Sequence, residues 1–243
     1  MTEVPAWSWG PLPSPWTALP APRRAGDVAV VQAHLPDLVP WARTVEAFWL
    51  DPAEQARRDR FLREADRDAF LARRCLLRAA LAERLGIEPA AVPLAPAPGA
   101  AGRHGKPAVP GLHFSLSSSG GHILIAMGPR DLGIDVERVP DFVGGEQMSA
   151  ILHPAERRRL AWTSRRRRPA AVARVWARKE SLLKAMGVGL SRDPSVDRVG
   201  AGRFPGHPLP GWRILDLPLG SGGEDARAAL TVSEPRTDRR SRM

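Results

Sequence analysis

The sequence predicts an α+β protein made of two halves that meet near residue 130. Two observations carry this. The first is the order of patterns: strand, helix and hairpin, then strand, helix and strands. The second is a length of 243 residues, enough for two units that each bury a core.

Residues 1–26 read as an irregular leader rich in Trp and Pro. In 27–35, Val28, Val30 and Gln32 alternate with Ala29, Val31 and Ala33, the signature of a strand. Residues 53–86 form a long helical region with a break near Asp66; Phe70, Leu77, Leu81 and Leu85 recur near the helical period, and Gly86 supplies a stop. A Pro/Gly/Ala-rich loop occupies 87–111. Leu112, Phe114 and Leu116 then alternate with His113, Ser115 and Ser117, a turn follows at 118–121, and a second strand runs over 122–127, which makes a hairpin. Residues 132–137 alternate again. Residues 145–163 are helical in part and 165–168 are a solvated arginine run. A helix over 169–186 has Pro169 in its first turn and Gly187 as its stop. Terminal strands lie within 211–232 around a loop at 220–223, and 234–243 form a disordered basic tail. No internal repeat is legible in the sequence itself.

Composition narrows the function less than the fold. Hydrophobic residues at 43% and charged residues at 26% fit a soluble globular chain. No apolar run approaches the roughly 18 residues of a membrane span, and the N-terminus lacks the layout of a signal peptide, so the expectation is a cytoplasmic protein with no membrane partner. The single cysteine, Cys75, excludes a disulfide framework and sits in a helix-core pattern. A net charge of +10 attracts polyanions. Nucleic acid, an acidic protein or a phosphate-rich small molecule would each satisfy it. The excess is arginine: Lys106, Lys179 and Lys184 are the only lysines.

Four short segments carry chemistry. In Leu132-Gly133-Ile134-Asp135-Val136-Glu137, strand periodicity puts Asp135 and Glu137 on one face and Ile134 and Val136 on the other. Paired carboxylates suit Mg²⁺, which commonly takes one or two of them together with substrate phosphate; a solvated strand face balanced by arginines is the plainer reading. In Trp176-Ala177-Arg178-Lys179-Glu180-Ser181-Leu182-Leu183-Lys184, Glu180 and Lys184 are neighbours on one helix face, beside the apolar stripe of Val172, Trp176, Leu183 and Met186. The plainer reading there is a helix ion pair worth about 0.3–0.5 kcal/mol. The turn Ser117-Ser118-Ser119-Gly120-Gly121 offers hydroxyls and N–H groups to phosphate oxygens, or is an ordinary polar hairpin. Gly105-Lys106-Pro107 is a short loop signal.

In their joint order and spacing these segments resemble the Sfp-type 4'-phosphopantetheinyl transferases over about residues 57–190. The resemblance rests on the Gly-Lys-Pro loop, a Phe-x-x-Ser-x-Ser hairpin, Gly-Ile-Asp-Val-Glu, and Trp-x-x-Lys-Glu-Ser-x-x-Lys ending in Gly-Val-Gly-Leu. It implies two similar α+β halves, a pseudo-dimer working as a monomer, with the active site in the cleft between them: 1–130 supplying the hairpin and nucleotide contacts, 131–243 the metal ligands and catalytic helix. It implies coenzyme A as substrate, Mg²⁺ held by Asp135, Glu137 and Glu180, and Glu180 as base for the serine of an acidic acyl or peptidyl carrier protein. Lys184 would face a phosphate. Arg57, Lys106, Ser117 and Ser118 would contact CoA, with Arg74 a weaker candidate. One departure stands out. Ser115 and Ser118 replace the family's Asn and His, so Ser118 cannot bring positive charge to the CoA 3'-phosphate. Ser118→His is expected to tighten CoA binding.

Three other readings compete. A nucleic-acid-binding protein fits the charge, but no helix-turn-helix, zinc or RNA-recognition signature is present. A CoA- or carrier-binding homologue without turnover fits the hairpin substitutions. A metal-dependent phosphohydrolase fits the carboxylates but lacks metal-spaced His.

Overall fold

The computed structural model of the chain describes residues 15–19, 27–96, 107–141, 151–206, 209–220 and 225–235. Its described elements are helices and antiparallel strands, as the fold class requires. The chain enters with β1 (Trp16–Leu19) and β2 (Ala29–His34), then α1 (Leu35–Trp49), α2 (Pro52–Asp59) and α3 (Glu64–Leu85). A short pair, β3 (Ala95–Pro96) and β4 (Pro107–Ala108), leads to the hairpin β5 (His113–Ser119) and β6 (His122–Gly128). The second half is β7 (Leu132–Arg138), α4 (Pro154–Ala161), α5 (Arg168–Met186), β8 (Trp212–Leu217) and β9 (Ala226–Ser233). No described helix is long and apolar enough to cross a membrane.

Besides the short β3-β4 pair, two larger sheets form among the described residues, ordered β1-β2-β6-β5 and β7-β9-β8, every pair antiparallel. Setting β1 aside, the halves share a plan: a strand, helices, then a hairpin whose second strand lies between its own partner and the first strand. The two sheets pack face to face through Val30, Leu124 and Ala126 on one side and Leu132, Ile134, Val136 and Leu230 on the other. A helix layer covers each outer face. Val31, Ala33, Ile123 and Ile125 meet α1 and α3, while Ile214 and Ala229 meet α5.

The leader is a correction: β1 pairs with β2 from Trp16 opposite Ala33 to Leu19 opposite Val30, and the Trp16 ring packs edge-on to Trp41, 5.0 Å away. β2 ends at His34, and Leu35 opens α1, a helix that the sequence pattern does not predict. Pro36 and Pro40 obscured it, although Pro36 lies in the first turn, where its missing N–H costs nothing. The break in the long helical region falls at residues 60–63, before Asp66. Gly120 and Gly121 turn the hairpin with φ of 59° and 87°, the left-handed values a tight hairpin turn requires at both positions. Of the segment read as a tail, Glu234 is tied to the fold, accepting from Arg213 Nε at 3.0 Å; 236–243 lie outside the described residues.

A repeat does exist, in three dimensions. Asp51-Pro52-Ala53-Glu54 and His153-Pro154-Ala155-Glu156 each form a capping box at the start of a short helix. The same two glutamates then receive a buried cation from the long helix of their own half. Arg78 Nε donates to Glu54 at 2.9 Å, and Lys179 Nζ lies 3.0 Å from Glu156. Each cation also satisfies carbonyls of the loop after its helix: Pro89, Ala90 and Val92 for Arg78, Pro194 and Asp197 for Lys179. Both long helices end on a left-handed glycine, Gly86 and Gly187.

Candidate active site

The halves join along β5 and β7, and serines make the join. Alternation turns Phe114 and Leu116 into the α1–α3 core, which leaves Ser115, Ser117 and Ser119 facing β7. Ser115 Oγ accepts the Ile134 N–H at 3.1 Å and Ser119 Oγ accepts the Arg138 N–H at 3.1 Å. Between them Ser117 Oγ donates to Asp135 Oδ1 at 2.8 Å, and Ser119 Oγ donates to Glu137 Oε2 at 3.4 Å. The serine ladder therefore satisfies the free edge of β7 and touches both of its carboxylates.

On its other side β7 lies hard against α5. Gly133 makes this possible: a Cβ there would collide with the Ser181 carbonyl oxygen and the Ala185 nitrogen, backbone atoms that cannot step aside. The close approach brings Lys184 Nζ to 2.6 Å from Asp135 Oδ1. It also places Glu180, a turn before Lys184, beside the strand carboxylates. Ser181 Oγ and Thr231 Oγ1, 2.8 Å apart, pin α5 to β9.

The electrostatics are those of crowded, half-dry acids. Burial, opposed by Lys184, raises the proton affinity of Asp135. Burial and then the Asp135 charge push Glu137 up to about 7. Glu180 is raised by burial and by Asp135, with Lys184 again opposing. Asp135 Oδ2 is buried and has no hydrogen-bond partner among the described residues, a state that costs free energy unless a ligand relieves it.

No group of three or more His, Cys, Asp or Glu among the described residues forms a ready-made metal cage. The donor set is that of a shared site: one orphaned buried carboxylate oxygen, with two further carboxylates in its field. It fits a hard divalent cation that takes one or two protein carboxylates and completes its shell with water and phosphate oxygens.

Behind this cluster α5 is held by buried ion pairs. Arg178, fully buried, forks onto Asp216 at 2.7 and 2.5 Å and donates to the carbonyls of Gly200, Gly202 and Arg203. Lys179, 1% exposed, faces Glu156 and two carbonyls. Within Trp-x-x-Lys-Glu-Ser-x-x-Lys, then, Lys179 faces the scaffold and Glu180 and Lys184 face the cluster.

The structure brings together Asp135, Glu137, Glu180, Lys184 and Ser117. It adds Ser119 and Gly133, whose signal in the sequence was their strand register with Ser117 and Asp135. Ser118 is exposed on the opposite face of β5. Arg57, exposed on α2, has its guanidinium 5.7 Å from the Phe70 ring centroid, with Arg74 at the same distance from that ring and in an ion pair with Glu54. No hydrogen bond or ion pair links Arg57 to the carboxylates among the described residues. Lys106 lies outside the described residues.

Residues 131–205 match the family model of the 4'-phosphopantetheinyl transferase superfamily, and the resemblance read from the motifs holds at the level of that superfamily. The matched stretch runs from β7 through α5 and so contains Asp135, Glu137, Glu180 and Lys184. Among curated proteins, the 4'-phosphopantetheinyl transferase of Bacillus subtilis is 29% identical over 153 residues, covering 61% of this chain; the chain spans 64% of that relative's length. Among solved structures, the holo-[acyl-carrier-protein] synthase of Thermotoga maritima has 26% identity over 44% of this chain and 64% of its own, with a TM-score of 0.34.

Proposed function

We propose that the chain is a Mg²⁺-dependent, monomeric, cytoplasmic transferase. It moves the 4'-phosphopantetheine arm of coenzyme A to a serine of an apo acyl or peptidyl carrier protein and releases adenosine 3',5'-bisphosphate. One observation carries this reading: the segment matched to the superfamily, residues 131–205, holds all four charged residues that the fold gathers at the seam.

A carrier serine is a weak nucleophile near neutral pH and needs a base within hydrogen-bond reach. Glu180 is that base: partial burial beside Asp135 raises its proton affinity above that of a solvated glutamate. The serine oxygen bonds to the β-phosphorus, the bond from that phosphorus to the bridging oxygen breaks, and the nucleotide leaves with the electron pair. Lys184, held by Asp135 yet 29% exposed, stands at the solvent edge, where its Nζ can donate to a phosphate oxygen. Asp135, Glu137 and Glu180 would hold Mg²⁺, which supplies charge neutralisation for the pyrophosphate. Ser117 and Ser119 orient the two strand carboxylates. Arg57 and Lys106 are assigned to the nucleotide end of CoA.

The test is intact-mass analysis of apo carrier proteins incubated with the protein, CoA and Mg²⁺. The expected result is a gain of one phosphopantetheine group, lost with a chelator and with Glu180→Gln. No gain on any of several acyl and peptidyl carriers would sink the proposal.

A further inference from the structure

One concavity of the described molecule lies away from the carboxylates. It is a cleft of ≈ 730 Å³ between α4 and the loop of residues 198–206. Two large apolar side chains stand open on it, Trp162 at 90% and Phe204 at 76% exposure. Arg158 and Arg159 lie four and three residues before Trp162, hence on its side of the helix, and Arg198 lines the loop wall. The Arg203 guanidinium sits 5.4 Å from the Phe204 ring centroid. Among the described residues lining the cleft the one acidic side chain, Glu156, is turned inward, accepting from the Gly200 N–H at 2.9 Å and the His153 N–H at 3.0 Å while it pairs with Lys179. Arg158, Arg159 and Arg198 pair with no described carboxylate.

Exposed aromatics ringed by arginines that the fold leaves unpaired are the composition of a protein interface: Trp, Phe and Arg are the anchoring types. The complementary surface is a helix with an apolar stripe flanked by carboxylates. Glu156 binds Lys179, and Lys179 precedes Glu180, so the cleft backs onto the helix that carries the proposed base.

We propose that this cleft is where the acidic carrier protein docks, with apolar side chains of one carrier helix on Trp162 and Phe204 and its carboxylates on Arg158, Arg159 and Arg198. The proposal rests on the phosphopantetheinyl-transfer reading and adds to it the recognition surface.

The test compares the full chain with Arg158→Glu/Arg159→Glu and with Trp162→Ala/Phe204→Ser, all four residues being solvent-exposed. For an apo carrier that the unaltered protein modifies, each double variant is expected to raise the KM for carrier by about tenfold or more, as loss of an interface anchor does. The KM for CoA and the Tm should stay unchanged. Reversing acidic residues on the carrier helix should recover part of the loss in Arg158→Glu/Arg159→Glu. An unchanged carrier KM in both variants overturns the docking surface and leaves the transfer reading intact. So does a cleft that binds duplex DNA through these arginines while carrier KM is unmoved. Failure of the unaltered protein to modify or bind any carrier overturns the transfer reading, and the docking surface with it.

Discussion

The two halves share a plan, and the difference that bears on chemistry lies in the space between the strand that opens each plan, β2 or β7, and the long helix. In the N-terminal half the residues of β2 that face the helices are Ala29, Val31 and Ala33, and they pack in an apolar core with α3. The corresponding face of β7 carries Gly133, Asp135 and Glu137. Aligning the helices on their buried cations, Arg78 with Lys179, and on their terminal glycines sets Ala79 and Glu83 of α3 beside Glu180 and Lys184 of α5. Ala79 is 1% exposed and Glu83 is solvated, so nothing ionic is buried there. The N-terminal half shows that this layer closes without charges. Asp135, Glu137 and Glu180 are therefore not what makes the fold; burying them costs stability, and such costs concentrate where chemistry is done. The cation–capping-box pair appears in both halves and is structural in both.

The comparison breaks most violently at Gly133. Gly133→Val should leave little folded protein, because its side chain would meet α5 backbone, and overpacking of this kind costs about 1–3 kcal/mol or more. Ala29→Val, on the helix-facing side of β2, should lower the Tm far less. Equal losses in thermal unfolding would mean that the close approach of β7 and α5 is not special. Next comes Glu180→Gln, expected to reduce carrier modification by about 10²-fold or more with a Tm no lower than that of the parent. A variant as active as the parent would remove Glu180 from the chemistry.

Asp135→Asn sharpens the contrast in the other direction. It relieves the cost of a buried carboxylate with an unpartnered oxygen, and denaturant unfolding of the metal-free protein should show neutral or slightly raised stability. Val31→Asp, the reciprocal change in the apolar half, should cost about 3 kcal/mol or more, since no lysine or serine waits for it. If both changes destabilise alike, the two layers are not functionally distinct. Ser117→Ala removes one hydrogen bond to Asp135 and should cost about 1 kcal/mol while lowering activity through a misplaced carboxylate.

Much of this contrast was legible in sequence terms, and the limits were physical. Strand alternation at 132–137 and helical spacing at 176–184 set Asp135 with Glu137 and Glu180 with Lys184 because both are local periodicities. What joins them is not local: Gly133 matters through contact with Ser181 and Ala185, about fifty residues away in sequence. Ser115 and Ser119 read as polar hairpin residues because their partners are backbone N–H groups, which no side-chain pattern reveals. The repeat stayed hidden because its two copies share only Pro-Ala-Glu and a distant cation, Arg78 in one and Lys179 in the other. α1 was lost to its two prolines.

The smallest effect at neutral pH, and the most selective probe of the apolar half, lies at Cys75. It is fully buried on α3 with its Sγ 3.9 Å from the Ala42 carbonyl oxygen, and burial raises its pKa from 9.0 to about 12. The thiol keeps its proton in the folded chain over a range where the unfolded chain loses it. The folded state thus binds more protons than the unfolded one between pH 9 and about 12, and stability must fall as pH rises through that window. The slope approaches about 1.4 kcal/mol per pH unit at its steepest. Cys75→Ala should lack that component, so its stability relative to the parent should rise with pH only above about 9. The chain is suited to the measurement, having no tyrosine and three lysines to titrate in the same range. Thiolate absorbance followed during alkaline unfolding reads it directly. A thiol that ionises or reacts with a disulfide reagent near pH 8 in the folded protein would mean that the α1–α3 core is open, and that the apolar half is not the closed counterpart of the charged one.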